Sequence, residues 1–221
     1  MTPANIAGMA AIKGLDVVAL TDHNTSRNCP AFLKMAEEYG VLAIPGMEMT
    51  TLEEVHVVCL FPTLEKALDY DKYVYDHFIP FPNDEKIFGK QQIYDENDNI
   101  TGTEPLLLIN AVNISFDEVY DAVGKFNGIM IPAHLDKSTT SLLSNLGFVP
   151  DGSRFKCVEL KDMKKWHAIK NANPYLENCN VITDSDAHYL CDINEPVNSL
   201  YVEDKSVESV LRALDPNWKY K

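Results

Sequence analysis

The 221-residue chain has no apolar run approaching the roughly 20 residues that a membrane-spanning helix requires. Its first residues, MTPANIAGMAAIKG, contain no basic stretch leading into an apolar one, so they do not read as a signal peptide. No C-x-x-C pair occurs. Cys29, Cys59, Cys157, Cys179 and Cys191 are odd in number and scattered, which suggests neither a zinc knuckle nor a disulfide framework and points to a reducing, cytoplasmic setting. Basic residues are scarce: 19 Lys and Arg stand against 33 Asp and Glu, a formal charge of −14. A broad grip on a phosphate backbone needs clustered cations. The expectation is therefore a small phosphorylated substrate, no extended nucleic-acid surface and no membrane partner, with metal cations inverting the local field. Internal repeats, low-complexity tracts and interdomain linkers are also lacking, so a single domain over residues 1–221 is expected.

What is present suits a folded core: 46% hydrophobic, 24% charged and 10% aromatic residues. Thr2 can cap a first helix, Pro3 suits its first turn, Ile6, Met9 and Ala10 share a face, and Gly14 stops it. DVVAL (Asp16 to Leu20) follows as an apolar, β-branched run of the kind buried on both faces of a parallel sheet. Ser26 to Gly40 is helical by the spacing of Phe32, Met35 and Ala36, and VLAIPG (Val41 to Gly46) is strand-like again. Further strands are expected at EVHVVCLF (Glu54 to Phe61), IMIPA (Ile129 to Ala133), CVEL (Cys157 to Leu160), NVIT (Asn180 to Thr183) and NSLYV (Asn198 to Val202). Helices alternate with them. The clearest opens with a capping box, Ser115 and Glu118, and runs through Phe116, Val119, Val123 and Phe126 to Gly128; another carries Val207, Val210, Leu211 and Leu214 after Ser206. Repeated β-α units predict an α/β fold with a parallel sheet, either closed into a barrel or open and doubly wound. Thr63 to Asn113 is too long for a plain crossover, and its polar centre QQIYDENDNITG predicts an inserted β-hairpin turning at Asn97 to Asn99.

Histidines and carboxylates fall in register with those strands. DVVAL runs into Asp22 and His23, VLAIPG into Glu48, His56 lies within its own strand, IMIPA ends in His134, and NVIT runs into Asp184, Asp186 and His188. The strands thus deliver metal-capable side chains at or near their carboxyl ends, where catalytic groups converge in α/β barrels. Imidazoles interleaved with carboxylates suit one to three divalent cations, Zn, Mn or Fe. Any one such histidine alone is more often a hydrogen-bonded structural residue, so it is the joint pattern that carries the reading. Asp22 and Asp184 are candidates for orienting a ligand imidazole, and Lys137 for meeting a substrate phosphate. His77 and His167, among polar neighbours, are assigned to the surface.

TDHN at Thr21 to Asn24, the glutamate of PGMEMT at Glu48, His56, the PAH ending at His134 and the SDAH of Ser185 to His188 resemble, in order, the later motifs of the PHP (polymerase and histidinol phosphatase) family of metal-dependent phosphoesterases. The resemblance runs from the first helix to about Val202. It implies a distorted, TIM-like seven-stranded (β/α) barrel whose metals hydrolyse phosphate esters through a metal-bound hydroxide. It further implies that Glu48 bridges two metals, that His56 and His134 complete one shell, that Asp186 reaches the other, and that His23 with His188 serves a third position, making Glu48, His134 and Asp186 the catalytic set. That family opens with an HxH motif, and the chain contains none. The expectation is either that the motif lies upstream of Met1 or that a metal site and the first strand are lost, leaving an unpaired edge that favours homo-oligomers. Two alternatives accompany the phosphoesterase reading: a non-catalytic, regulatory metal-binding domain, which the missing HxH favours, and a metal-dependent amidohydrolase.

Overall fold

A computed structural model describes residues 1–220. Helix α1 (Pro3–Ile12) starts where the Thr2 hydroxyl accepts from the Asn5 amide, and the chain leaves it at Gly14, whose φ of 72° suits glycine. Strand β1 (Val17–Leu20) leads into α2 (Cys29–Glu38), and Ala7, Ala10, Leu20, Phe32 and Ala36 form one buried cluster between them. Strand β2 (Leu42–Thr50) pairs parallel with β1 and runs on well past Gly46.

Its continuation is explained by its other neighbour. β3 (His56–Leu60) lies antiparallel to β2, from Gly46 opposite Leu60 to Thr50 opposite His56. Residues 51–55 between the two strands are far too few for the crossover of a dozen or more residues that a parallel return requires. The all-parallel expectation therefore fails at this turn. Helix α3 (Leu64–Tyr75), the short α4 (Glu85–Phe88) and the hairpin of β4 (Gln92–Tyr94) with β5 (Ile100–Thr103) fill the expected insertion, with Asp98 in its turn at φ 62°. α5 (Phe116–Lys125) opens with the Glu118 carboxylate accepting from the Ser115 amide at 2.9 Å, and β6 (Ile129–Pro132) then pairs antiparallel with β3. After α6 (Leu142–Asn145), β7 (Cys157–Glu159) and β8 (Asn180–Ile182) pair in parallel across α7 (Trp166–Ala172), and α8 (Val207–Leu214) follows.

The result is a mixed α/β wall ordered β1-β2-β3-β6, extended toward the β7–β8 pair where the Leu135 amide donates to the Glu159 carbonyl at 2.9 Å. Among the described residues the wall does not close into the expected seven-stranded barrel, and β1 pairs with β2 alone. The expected seventh strand, Asn198 to Val202, is irregular; Leu200 and Val202 are exposed and Tyr201 is 99% exposed. Alternation is a local signal, and a strand also needs a neighbour's backbone groups. No helix among the described residues is long and apolar enough to cross a membrane.

The period of two then sorts the wall's faces. Met47, Met49, Val57, Cys59 and Met130 join Phe61, Tyr70, Val119 and Val123 in the large core beneath α3 and α5. Ile44, Leu60, Ile129 and Ile131 point the other way and are covered by Val210, Leu211 and Leu214 of α8, with Trp218 beyond it. Glu48 and His56 share that second face, so α8 fills the base of the concavity whose rim they occupy.

Gly46 sits where β2 and β3 approach most closely. A Cβ there would meet the Cys59 carbonyl oxygen at 2.8 Å and Leu60 Cδ2 at 2.9 Å. Gly46→Ala is expected to cost about 1–3 kcal/mol by overpacking. Gly124→Ala, on an exposed and open face of α5, should stabilise by about 0.5–1 kcal/mol. Urea midpoints of the two variants check this, and equal shifts in one direction would refute it.

Candidate metal centre

Four elements converge on one carboxylate. The β1–β2 ladder continues past its strand ends: the Glu48 amide donates to the Asp22 carbonyl at 3.1 Å and the Asn24 amide to the Glu48 carbonyl at 2.9 Å, which sets His23 beside Glu48. His56 is the first residue of β3, contrary to the expectation of a carboxyl-end position, and the antiparallel pairing is what brings it to the same rim. His134 follows β6 at φ 31°, a left-handed conformation that a β-strand's continuation would not allow.

Glu48, 6% exposed, has His23 Nδ1 at 3.2 Å from one oxygen, and His56 Nδ1 at 3.3 Å and His134 Nε2 at 3.5 Å from the other. His134 Nε2 is 3.4 Å from His56 Nδ1, and the rings of His23 and His56 meet edge to face at 5.2 Å. Burial pushes the Glu48 carboxyl up, but the hydrogen bonds with His134 and His56 and the nearness of His23 outweigh it and hold the group well below the usual carboxylate range. Burial lowers the His23 pKa, with His56 and His188 adding to the fall and Glu48 opposing it, so its ring is neutral at pH 7. A neutral imidazole beside an ionised carboxylate is the protonation state a divalent cation needs. Ligand atoms of His23, Glu48 and His56 lie within 4.8 Å of one another. The Nδ1 atoms of His23 and His134 are buried without a well-directed hydrogen-bond partner, so the donor set fits a cation.

Asp186 and His188 form a separate rim group. Asp186, at φ 47°, accepts from Lys137 at 2.8 Å and lies 3.5 Å from Lys161 Nζ. Burial raises its pKa, and Lys137 with Lys161 more than offsets that and lowers it. His188 is exposed, with Nδ1 3.9 Å from the Asp186 carboxylate and its ring 6.1 Å from that of His23. Asp22 accepts from Asn28 at 3.0 Å, and neither it nor the exposed Asp184 hydrogen-bonds a ligand imidazole among the described residues. His77 is half-buried at the end of α3 against the Tyr73 carbonyl, 2.7 Å away, whereas His167 is exposed.

Three residues enter that the sequence reading passed over. Glu159, at the end of β7, is 3% exposed, and its Oε1 has no hydrogen-bond partner. Burial, then Asp184, Glu48 and Asp186, push its pKa up to about 9 against the pull of Lys161. A lone charge within the apolar run CVEL was the available signal. Lys161 directly follows that run. Asn24, at φ 48°, donates to the Leu108 and Asn110 carbonyls at 2.8 Å each and accepts from the Thr50 amide at 2.9 Å, tying the insertion to the site.

The fold has counterparts of known structure. Endonuclease Q from Pyrococcus furiosus, a lesion-specific endonuclease, superposes with a TM-score of 0.66 at 18% identity, over 98% of this chain and 52% of its own. A protein from Bifidobacterium adolescentis, described as a putative metal-dependent phosphoesterase, gives 0.62 at 16% identity, over 96% and 90%. The fold is PHP-like. An amidohydrolase from Chromobacterium violaceum shares it at 0.57 and 14% identity, over 87% of this chain and 84% of its own. In sequence, an uncharacterized protein of Methanocaldococcus jannaschii is 45% identical over 73 residues, 33% of this chain and 43% of that protein. No family model matches the chain. The chain thus spans about half the length of the endonuclease Q chains it matches.

One expectation is overturned. Acidity was read as opposing an extended nucleic-acid surface, yet endonuclease Q, complexed with a 27-mer duplex carrying an abasic lesion at its active site, matches 98% of this chain with a TM-score of 0.62 at 20% identity. Net charge is a sum over the whole surface, whereas a strand meets only part of it.

Glu159 generates a pH prediction for the metal-free protein. Its folded pKa, about 9, lies above the ordinary carboxyl value of 4.5, so the folded state binds the extra proton between the two and wild-type stability falls as pH rises through that window. Glu159→Gln stays neutral throughout. Its melting temperature relative to wild type should climb from pH 5 to 9 and then level off; a pH-independent difference would remove Glu159 from the account.

Proposed function

We propose that the chain is a metal-dependent phosphoester hydrolase. The observation that carries this reading is the Glu48 carboxylate, buried under three imidazole nitrogens 3.2–3.5 Å away at the open rim of a PHP-like fold. A structural ion pair needs one partner; three convergent imidazoles, two of them with a buried Nδ1 that lacks a well-directed hydrogen bond, fit a cation better. In this proposal His23, Glu48, His56 and His134 hold a first divalent ion, Zn, Mn or Fe, and Asp186 and His188 serve a neighbouring position. A cation held there polarises a phosphoryl oxygen and makes water more acidic.

The chain's own residues supply the rest. Lys137 and Lys161 converge on Asp186, where their ammonium groups would bind phosphate oxygens were that carboxylate to serve as a metal ligand. In the metal-free chain burial keeps the Glu159 carboxyl protonated at neutral pH. Glu48, His134 and Asp186 would act as the catalytic set by holding cations opposite the reacting phosphate. The likeness to an amidohydrolase keeps carbonyl substrates in the test.

Elemental analysis of chain purified without chelator or affinity-tag metal should find one or more equivalents of Zn, Mn or Fe. Glu48→Gln, which keeps the side chain's shape, and His134→Ala should each lose that metal and lower phosphoester turnover by at least about a hundredfold. Absence of metal after reconstitution would sink the proposal, and turnover of cyclic amides with none of phosphoesters would transfer it to the other chemistry.

A further inference from the structure

The insertion is pinned to the loop that carries His23. Asn28 donates to Asp22 at 3.0 Å and accepts from the Tyr94 amide at 3.0 Å, at the start of α2. Arg27 lies 3.4 Å from Asp71 and 2.5 Å from Glu104, both buried. Gln91 spends its side chain on the Glu104 and Leu106 carbonyls and the Leu108 amide, and Asn24 holds Leu108 and Asn110. These bonds fix both walls of one groove of about 350 Å³. Asp22, His23 and Arg27 line one side, and Phe88, Lys90 and Tyr94 the other.

The second wall has resources the fold does not use. Phe88 is 45% exposed and stacks on no other ring among the described residues. Tyr94 is half-buried, with its hydroxyl donating to Gln92 Oε1 at 2.8 Å, which fixes the ring. Lys90 is exposed and has no acidic partner among the described residues, in a chain of net charge −14 whose other groove cation, Arg27, is doubly paired. Two aromatic rings and an unpaired ammonium lining one groove are the chemistry that takes a base and its phosphate. A volume near the lower end of the range for small-molecule sites suits one nucleotide.

We infer that this groove takes a single unstacked nucleotide of a nucleic-acid strand, its base against Phe88 and Tyr94 and a phosphate at Lys90, beside the phosphodiester held at the His23–Glu48 cluster. The inference rests on the proposed hydrolytic reading of that cluster and names its substrate class.

Fluorescence anisotropy of a short labelled single strand with the full chain tests it. Phe88→Ala and Lys90→Ala should each weaken binding about tenfold, and Lys90→Ala should also lower the slope of log affinity against log salt by about one, both variants keeping wild-type metal content. Binding insensitive to both substitutions, or a mononucleotide that competes as well as the strand, would overturn the assignment. Metal content and phosphoester turnover of the unaltered chain are read separately. A chain that holds metal and cleaves phosphoesters without binding strand through Phe88 and Lys90 loses only the groove. A chain without metal loses the hydrolytic reading, and strand binding that still depends on both residues supports the groove.

Discussion

The burial of one carboxylate organises this molecule. Taking an ionised glutamate out of water costs several kcal/mol unless polar partners replace the solvent, and Glu48 is only 6% exposed. Its partners come from three places in the chain: the loop after β1, the start of β3 and the residue after β6. No local segment could supply them. The parallel β1–β2 ladder, the antiparallel return of β3 and the antiparallel pairing of β6 are all needed for the three imidazoles to arrive together. The same contacts that hold the carboxylate ionised leave the buried Nδ1 atoms of His23 and His134 without a well-directed hydrogen bond, a residual demand that the proposed cation would meet.

Backbone strain marks the site without being confined to it, since Glu54, Asp98, Asn127 and Thr140 also take positive φ. Asn24, His134 and Asp186 all adopt left-handed conformations, which cost non-glycine residues of order 1 kcal/mol or more each. All three lie just past a strand end, where the chain must turn sharply to aim a side chain inward. The strain at Asn24 is offset locally by three hydrogen bonds to the backbone of Thr50, Leu108 and Asn110. At His134 the next amide is locked onto Glu159 of β7. At Asp186 the support comes from side chains, with Lys137 and Lys161 on its carboxylate and His188 Nδ1 3.0 Å from its carbonyl.

Much of this was legible in the residues, for physical reasons. Caps at Thr2, Ser115 and Ser206 act within one helical turn, and the apolar runs at β1, β6, β7 and β8 mark strands whatever their partners. Strand direction was less legible, because a period of two is the same in parallel and antiparallel pairs; only the shortness of residues 51–55 encodes it. NSLYV misled because alternation says nothing about whether a neighbour exists. The histidines and Glu48 were visible because they punctuate apolar runs. Glu159 obeys the same rule inside CVEL yet was passed over, since a single glutamate beside a strand end is ordinarily solvated. Its burial depends on Leu135 and β8 closing around it, which is tertiary information.

Charge gave the inference about partners that reversed. An excess of acid over base was taken to repel a phosphate backbone, but repulsion between exposed charges is screened within about 10 Å at ordinary ionic strength. What an approaching phosphate feels is therefore the nearest few side chains. Around the rim those are Lys137, Lys161 and Lys90, while nearby carboxylates are withdrawn from the balance: Glu104 and Asp71 by Arg27, Glu159 by its own proton. A cation on Glu48 would neutralise the most deeply buried of the rest. In the acidic hairpin turn Asp95 accepts from the Asn97 and Asn99 amides and Glu96 pairs with Lys34, which leaves Asp98 exposed. An acidic protein can thus present a locally neutral or positive mouth, and for a site of this kind the distribution of lysines around the rim decides more than their total.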